Sequence, residues 1–118
     1  MKKKDPTQAP RLTIDFSELN AVTSTDAGPI PACDGVLEEI PPGSVYFSKL
    51  DVKSAYWHIP LAEAAKEKTA FRAGARLLQW TVMPFGLCNA PAVWNRYMSE
   101  VLRGTKGISY FDDVLIAS

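Results

Sequence analysis

Two aspartates side by side in an otherwise apolar run, "SYFDDVLIAS" at residues 109–118, constrain this chain more than any other feature. Successive side chains of a regular strand point to opposite faces, so Asp112 and Asp113 can approach one point only where the chain turns. The segment therefore predicts a β-hairpin, two short apolar strands around an Asp-Asp turn. At such a tip the carboxylates repel unless they are protonated or neutralised by cations. A divalent metal answers the problem, because Mg²⁺ takes hard oxygen ligands, typically one or two carboxylates together with substrate phosphates. Holding two ions asks for a third acid, and Asp51, at the end of the β-forming stretch "VYFSKL", is the candidate. With that strand beside the hairpin the three acids converge on a site suited to two-metal phosphoryl transfer. The alternative at this point is an Asp-Asp turn with no ligand, since aspartate is favoured in turns.

Along the rest of the chain, "RLTIDFSEL" predicts a short strand from Leu12 to Phe16, and the prolines and glycine of residues 23–32 predict an extended crossing segment. "DGVLEEI" predicts a short helix stopped by Pro41, Pro42 and Gly43, followed by a strand from Val45 to Leu50. "KSAYWHI" is long enough for a turn of helix, and "KTAFRAGARLLQWTVM" predicts two strands around a turn at Ala73 to Ala75 with Gly74 in it. A helix is predicted from Ala90 to Leu102, with Asn89 as N-cap, Pro91 in the first turn and Gly104 as the stop. Val93, Tyr97, Met98, Val101 and Leu102 recur at helical spacing and predict its packing stripe, with Trp94 to one side. Strands and helices mix without βαβ alternation, so the fold class is α+β with an antiparallel sheet.

Composition narrows the function classes. At 118 residues the chain suits one domain, and no apolar run is long enough to span a bilayer. The basic start "MKKK" is not followed by the apolar stretch of a signal peptide, so an intracellular setting is expected. Thirteen basic and thirteen acidic side chains cancel, which argues against a surface that wraps nucleic acid throughout. Lys2, Lys3, Lys4 and Arg11 nevertheless crowd the first eleven residues against Asp5 alone, leaving either a local anion site or a solvated basic end. Cys33 and Cys88 lie 55 positions apart without metal-ligand spacing and are expected to be reduced structural residues.

The blocks "RLTIDFSELN", "YFSKLDVKSAYWHIPL", "KTAF", "VMPFGLCNAPAVWNRYM" and "YFDDVLIAS" together resemble reverse transcriptases, most closely those of gypsy-type LTR retrotransposons and retroviruses. The resemblance covers nearly the whole chain. It implies a polymerase palm, an antiparallel sheet packed on helices, with part of the fingers. Residues 1–44 would belong to the fingers, and residues 45–118 to the palm with a fingers insertion at 60–82. The family's Tyr-X-Asp-Asp box corresponds to Tyr110, Phe111, Asp112 and Asp113, and its first metal-binding aspartate to Asp51, with Val52 beside it. The implied cofactor is a pair of Mg²⁺ ions, with Mn²⁺ as a substitute. For the incoming dNTP the resemblance implies Lys53, Ser54 and Ala55 around the triphosphate, Tyr56 under the sugar as the residue that rejects a 2′-hydroxyl, and Phe85 and Gly86 lining the pocket. Arg11 resembles the fingers arginine, and Lys3 or Lys4 the fingers lysine, that contact the triphosphate.

The implied reaction is RNA-directed DNA synthesis, a primer 3′-hydroxyl attacking the α-phosphate of a dNTP on an RNA or DNA template. The implied partners are template with primer, dNTP and the remaining Pol segments (thumb, connection and RNase H), with no membrane. The implied location is the cytoplasm or a virus-like particle. Because the chain is expected to lack those later segments, it is expected to bind nucleic acid weakly and to polymerise poorly alone. Two other readings remain open: a non-catalytic remnant acting at most as a binding module, and an RNA-dependent RNA polymerase palm, against which Tyr56 argues.

Overall fold

The computed structural model describes residues 12–28 and 33–118. In chain order these form α1 (Ser17–Val22), α2 (Cys33–Glu38), β1 (Phe47–Asp51), a 3-10 turn (Ala55–His58), α3 (Glu63–Lys66), β2 (Phe71–Ala73), β3 (Arg76–Leu78), α4 (Ala90–Val101), β4 (Gly107–Tyr110) and β5 (Asp113–Ala117). The mixture is the α+β arrangement expected from the sequence. Among the described residues no helix is long and apolar enough to cross a membrane.

The strand expected at Leu12 to Phe16 is not formed; that stretch leads into α1 instead. The Asp15 carboxylate accepts hydrogen bonds from Ser17 N at 2.9 Å and Ser17 Oγ at 2.5 Å, which turns the chain into the helix where a strand would have continued. Those two bonds, the side-chain one foremost, hold the Asp15 carboxyl below its ordinary range. Downstream, β1 lies two residues later at its start than the sequence suggested. Val45 N and Tyr46 N both donate to Ser118 O, at 3.0 and 2.9 Å, so this part still lies against the chain end without belonging to the regular ladder. Residues 24–28 carry no helix or strand, in line with an extended segment, while residues 29–32 lie outside the described residues.

Two sheets follow from the pairing. β5 is central in the order β1-β5-β4, and both of its neighbours run antiparallel to it. Among the described residues β2 and β3 pair only with each other, Phe71 opposite Leu78 and Ala73 opposite Arg76, around Gly74 at φ +62°. That left-handed turn is where glycine was expected, for glycine has no Cβ to clash there.

α4 underlies the larger sheet. Its buried residues are Ala90, Ala92, Trp94, Asn95 and Met98, and a core of Ala55, Met83, Ala90, Trp94, Met98 and Val114 joins it to β5 and the 3-10 turn. The expected stripe is therefore rotated: Trp94 is 1% exposed, whereas Tyr97 and Val101 are 41% and 53% exposed. Hydrophobic spacing alone could not distinguish these faces, because Trp94 and Met98 are also four apart. Asn89 departs from its expected capping role too. Its side chain makes no cap bond and instead ties the loop before α2, accepting from Asp26 N and donating to Ser24 O, both at 2.9 Å.

Candidate active site

Directly opposed residues of an antiparallel pair place their side chains on one face, with Cβ atoms about 4.5–5.5 Å apart. β1 and β5 are in register so that Asp51 faces Asp113, Leu50 faces Val114 and Lys49 faces Leu115. Asp51 and Asp113 are thus brought together by the sheet, 62 positions apart in the sequence. Asp112 sits one step beyond, in the turn itself.

That turn differs from the expected one. Tyr110 pairs with Asp113, so the two residues between the strands are Phe111 and Asp112, and Asp113 already belongs to β5. Phe111 takes φ +51°, the left-handed region, which costs an L-residue roughly 1–2 kcal/mol. Two bonds hold the turn in place: Trp94 Nε1 donates to Phe111 O at 2.6 Å, and Val52 N donates to Asp112 O at 2.8 Å. Tyr110 stacks edge-on against Phe111, ring centroids 4.8 Å apart. Val52, just past β1, and the floor helix α4 therefore both grip the Phe111–Asp112 turn.

Beside the tip stands an aromatic wall. Tyr56, on the 3-10 turn, lies 5.1 Å from Phe85 and 6.2 Å from Trp94 between ring centroids. Burial, and secondarily the negative charge of Asp112, push the Tyr56 phenol above its ordinary pKa. Tyr56 thus stands beside Phe85 and within electrostatic reach of Asp112. Of the stretch that precedes Tyr56, Lys53 is exposed, Ser54 is left-handed at φ +55° and Ala55 is fully buried. The Lys53 carbonyl accepts from His58 Nε2 at 3.1 Å, which closes this stretch on itself. Lys3, Lys4 and Arg11 lie outside the described residues.

The loop carrying Phe85 and Gly86 is clamped from α1. Asn20 Nδ2 donates to Gly86 O at 2.8 Å, and Cys88 N donates to Asn20 Oδ1 at 2.9 Å. Gly86 has φ +99°, where a side chain would be strained, and an added Cβ would come within 3.4 Å of Ile14 O. Farther along, Arg96 of α4 pairs with Asp26 at 2.6 Å, and this bond foremost holds the Asp26 carboxyl below its ordinary range. Cys88 is exposed and free, as expected for a reduced cysteine; nothing is described of the Cys33 side chain.

One participant escaped the sequence reading. Lys49 Nζ pairs with Asp113 Oδ2 at 2.9 Å, and that bond first, with Asp51 adding a smaller attraction, raises the ammonium pKa. Its signal was legible, since Lys49 stands two before Asp51 and so shares its strand face. Among the described residues no three acid, histidine or cysteine side chains are gathered at metal-binding spacing. The donors that do meet, two facing carboxylates with a cation drawn to them, are hard oxygens of the kind Mg²⁺ takes, and they fit a divalent cation.

Comparison with known proteins gives a consistent result. Residues 1–118 match the family described as reverse transcriptase (RNA-dependent DNA polymerase). The chain is 37% identical over 110 residues to polyprotein P3 of Commelina yellow mottle virus, covering 92% of this chain and 6% of that protein. It is 39% identical over 111 residues to the retrovirus-related Pol polyprotein from transposon gypsy of Drosophila melanogaster, covering 92% and 11% respectively. Among solved structures it resembles the foamy viral protease-reverse transcriptase in complex with an RNA/DNA hybrid, with a TM-score of 0.79 and 21% identity over 92% of this chain and 15% of that one. The chain thus spans a small fraction of the proteins it matches.

Proposed function

The chain belongs to the reverse transcriptase family, and from that premise we propose that it forms the catalytic centre of an RNA-directed DNA polymerase that adds dNTPs to a primer 3′-hydroxyl. The observation that carries this reading is the register that sets Asp51 opposite Asp113 with Asp112 on the adjoining turn. Asp51, Asp112 and Asp113, with the Val52 carbonyl beside them, would hold two Mg²⁺ ions, or Mn²⁺ in their place. When bound, such ions lower the pKa of an attacking hydroxyl and stabilise the charge of an in-line displacement at phosphorus.

The remaining work falls to the chain's own residues. The grip of Trp94 and Val52 on the turn fixes the carboxylates before substrate arrives, so little reorganisation is left for the reaction itself. Tyr56 and Phe85 flank the acids as an apolar wall for the sugar and base, and Tyr56 is the residue that would exclude a 2′-hydroxyl. Gly86 lets the backbone approach the new base pair, while Lys53, Ser54 and Ala55 would meet the triphosphate with Arg11 and Lys3 or Lys4. The relevant substrates are template with primer and dNTP, and the solved foamy viral relative with its RNA/DNA hybrid supports that choice. We assign residues 1–44 to the fingers and 45–118 to the palm, with 60–82 as an insertion; the separate β2–β3 sheet inside that insertion supports the division. The thumb, connection and RNase H segments of a longer Pol chain would grip the duplex, in the cytoplasm or a virus-like particle.

Primer extension by a polyprotein-length enzyme carrying this segment tests the reading. Asp112→Asn and Asp51→Asn should each lower kcat by about a hundredfold or more, the scale of removing a transition-state charge stabiliser. Undiminished extension by either variant would overturn the role given to that aspartate, whereas no extension by the parent enzyme would leave a non-catalytic binding module as the better description. Tyr56→Ala should raise the ratio of ribonucleotide to deoxyribonucleotide incorporation.

A further inference from the structure

Two like charges directly opposite each other on neighbouring strands destabilise the pairing. Asp51 and Asp113 are such a pair, and the structure sets a cation against it: Lys49 shares their face and contacts Asp113 Oδ2 at 2.9 Å. The Lys49 side chain is 67% exposed and that of Asp113 35%, so the bond is reached by solvent and can open without disturbing the core. Lys49 is also diagonal to Asp113 and two residues from Asp51 on the same strand face.

We propose that Lys49 is an internal counter-ion of the acidic pair, a positioning residue that occupies Asp113 until a divalent cation displaces it and so sets the cation concentration at which the site fills. This rests on the proposed function, in which these acids bind divalent cations. A divalent ion drawing on several carboxylate oxygens outcompetes one screened ammonium, so Lys49 tunes the site without closing it. In the cation-free chain the same ammonium keeps the facing aspartates at their register. On displacement it swings into solvent, where its exposure already places much of its length.

Mn²⁺ titration of the 118-residue chain, read by the electron paramagnetic resonance of free Mn²⁺, tests this without any catalytic turnover. Lys49→Met should bind Mn²⁺ about two- to fivefold more tightly than the wild type at low salt, the range open to a solvent-reached ion pair. The gain should shrink when monovalent salt shortens the Debye length to roughly 3–4 Å. Lys49→Arg should stay near the wild type, and Lys49→Gln, uncharged but polar, should show the same gain of about two- to fivefold as Lys49→Met and so reports the lost charge even where methionine perturbs folding. Asp113→Asn should weaken binding and abolish the effect of Lys49→Met in the double variant. Equal Mn²⁺ affinity in wild type, Lys49→Met and Lys49→Gln, with binding still lost in Asp113→Asn, would overturn the counter-ion and leave the metal site standing. Failure of the wild type to take up Mn²⁺, or binding indifferent to Asp51→Asn and Asp113→Asn, would instead overturn the metal reading on which the inference rests.

Discussion

Replacing Trp94 by phenylalanine removes one donor and a part of one ring from the most buried large side chain of the core. Trp94 is 1% exposed, and its Nε1 donates to Phe111 O at 2.6 Å, the bond that steadies the turn bearing Asp112. Leaving that partly buried carbonyl without its partner costs about 1–2 kcal/mol. The lost apolar surface, roughly 40 Å² at about 25 cal/mol per Å², adds about 1 kcal/mol. A residual cavity of roughly 40 Å³ adds about another 1 kcal/mol at the slope measured for buried truncations. The expected loss is therefore about 3–4 kcal/mol, a large part of a small domain's stability. Urea unfolding followed by far-ultraviolet circular dichroism measures it, and Met98→Ala, in the same core on the same helix, serves as the comparison. The two variants should be similarly destabilised, but only Trp94→Phe should displace the amide resonances of Phe111, Asp112 and Asp113. A loss below about 0.5 kcal/mol, smaller than one ordinary net hydrogen bond, would refute the anchoring argument. So would amide shifts no larger than those of Met98→Ala.

Phe111 should tolerate glycine better than alanine: at φ +51° the Ala variant keeps the left-handed penalty that Gly escapes, so thermal unfolding should favour Gly by about 1 kcal/mol. Asn20→Ala cuts both bonds to the Phe85–Gly86 loop and should lower stability by about 1–3 kcal/mol in urea, with faster hydrogen exchange at Cys88 N. Tyr56 carries a pH dependence of known sign. Its folded pKa lies above the unfolded 10.0, so the folded chain holds the proton longer; its contribution is full below about pH 10 and is lost as pH rises through the folded value. Tyr56→Phe should flatten that alkaline decline in thermal unfolding, and Asp112→Asn should bring the Tyr56 phenolate band to lower pH.

Local chemistry was the legible part. The apolar hairpin carrying Asp112 and Asp113, the left-handed glycine between β2 and β3, the Pro and Gly bounds of α4 and the five family blocks are all written in short stretches, because each depends on local geometry or charge. Readings failed where a distant partner decided the outcome. Asn89 looked like a cap and became a tie to Ser24 and Asp26, and Leu12 to Phe16 looked like a strand until Asp15 folded onto Ser17. Trp94, by contrast, lies off the expected stripe and was expected to serve a neighbouring element, as its bond to Phe111 O does, but its near-complete burial was not foreseen.

The sequence by itself determined that a hairpin would carry Asp112 and Asp113. Only the tertiary structure decided that Asp51 would face Asp113, that Phe111 rather than Asp113 would share the turn with Asp112, and that Lys49 would lie across the pair. The reason is physical: propensity and turn chemistry act over a few residues, whereas strand register and side-chain partnership are fixed by the packing of segments some sixty positions apart, about which no single segment carries information.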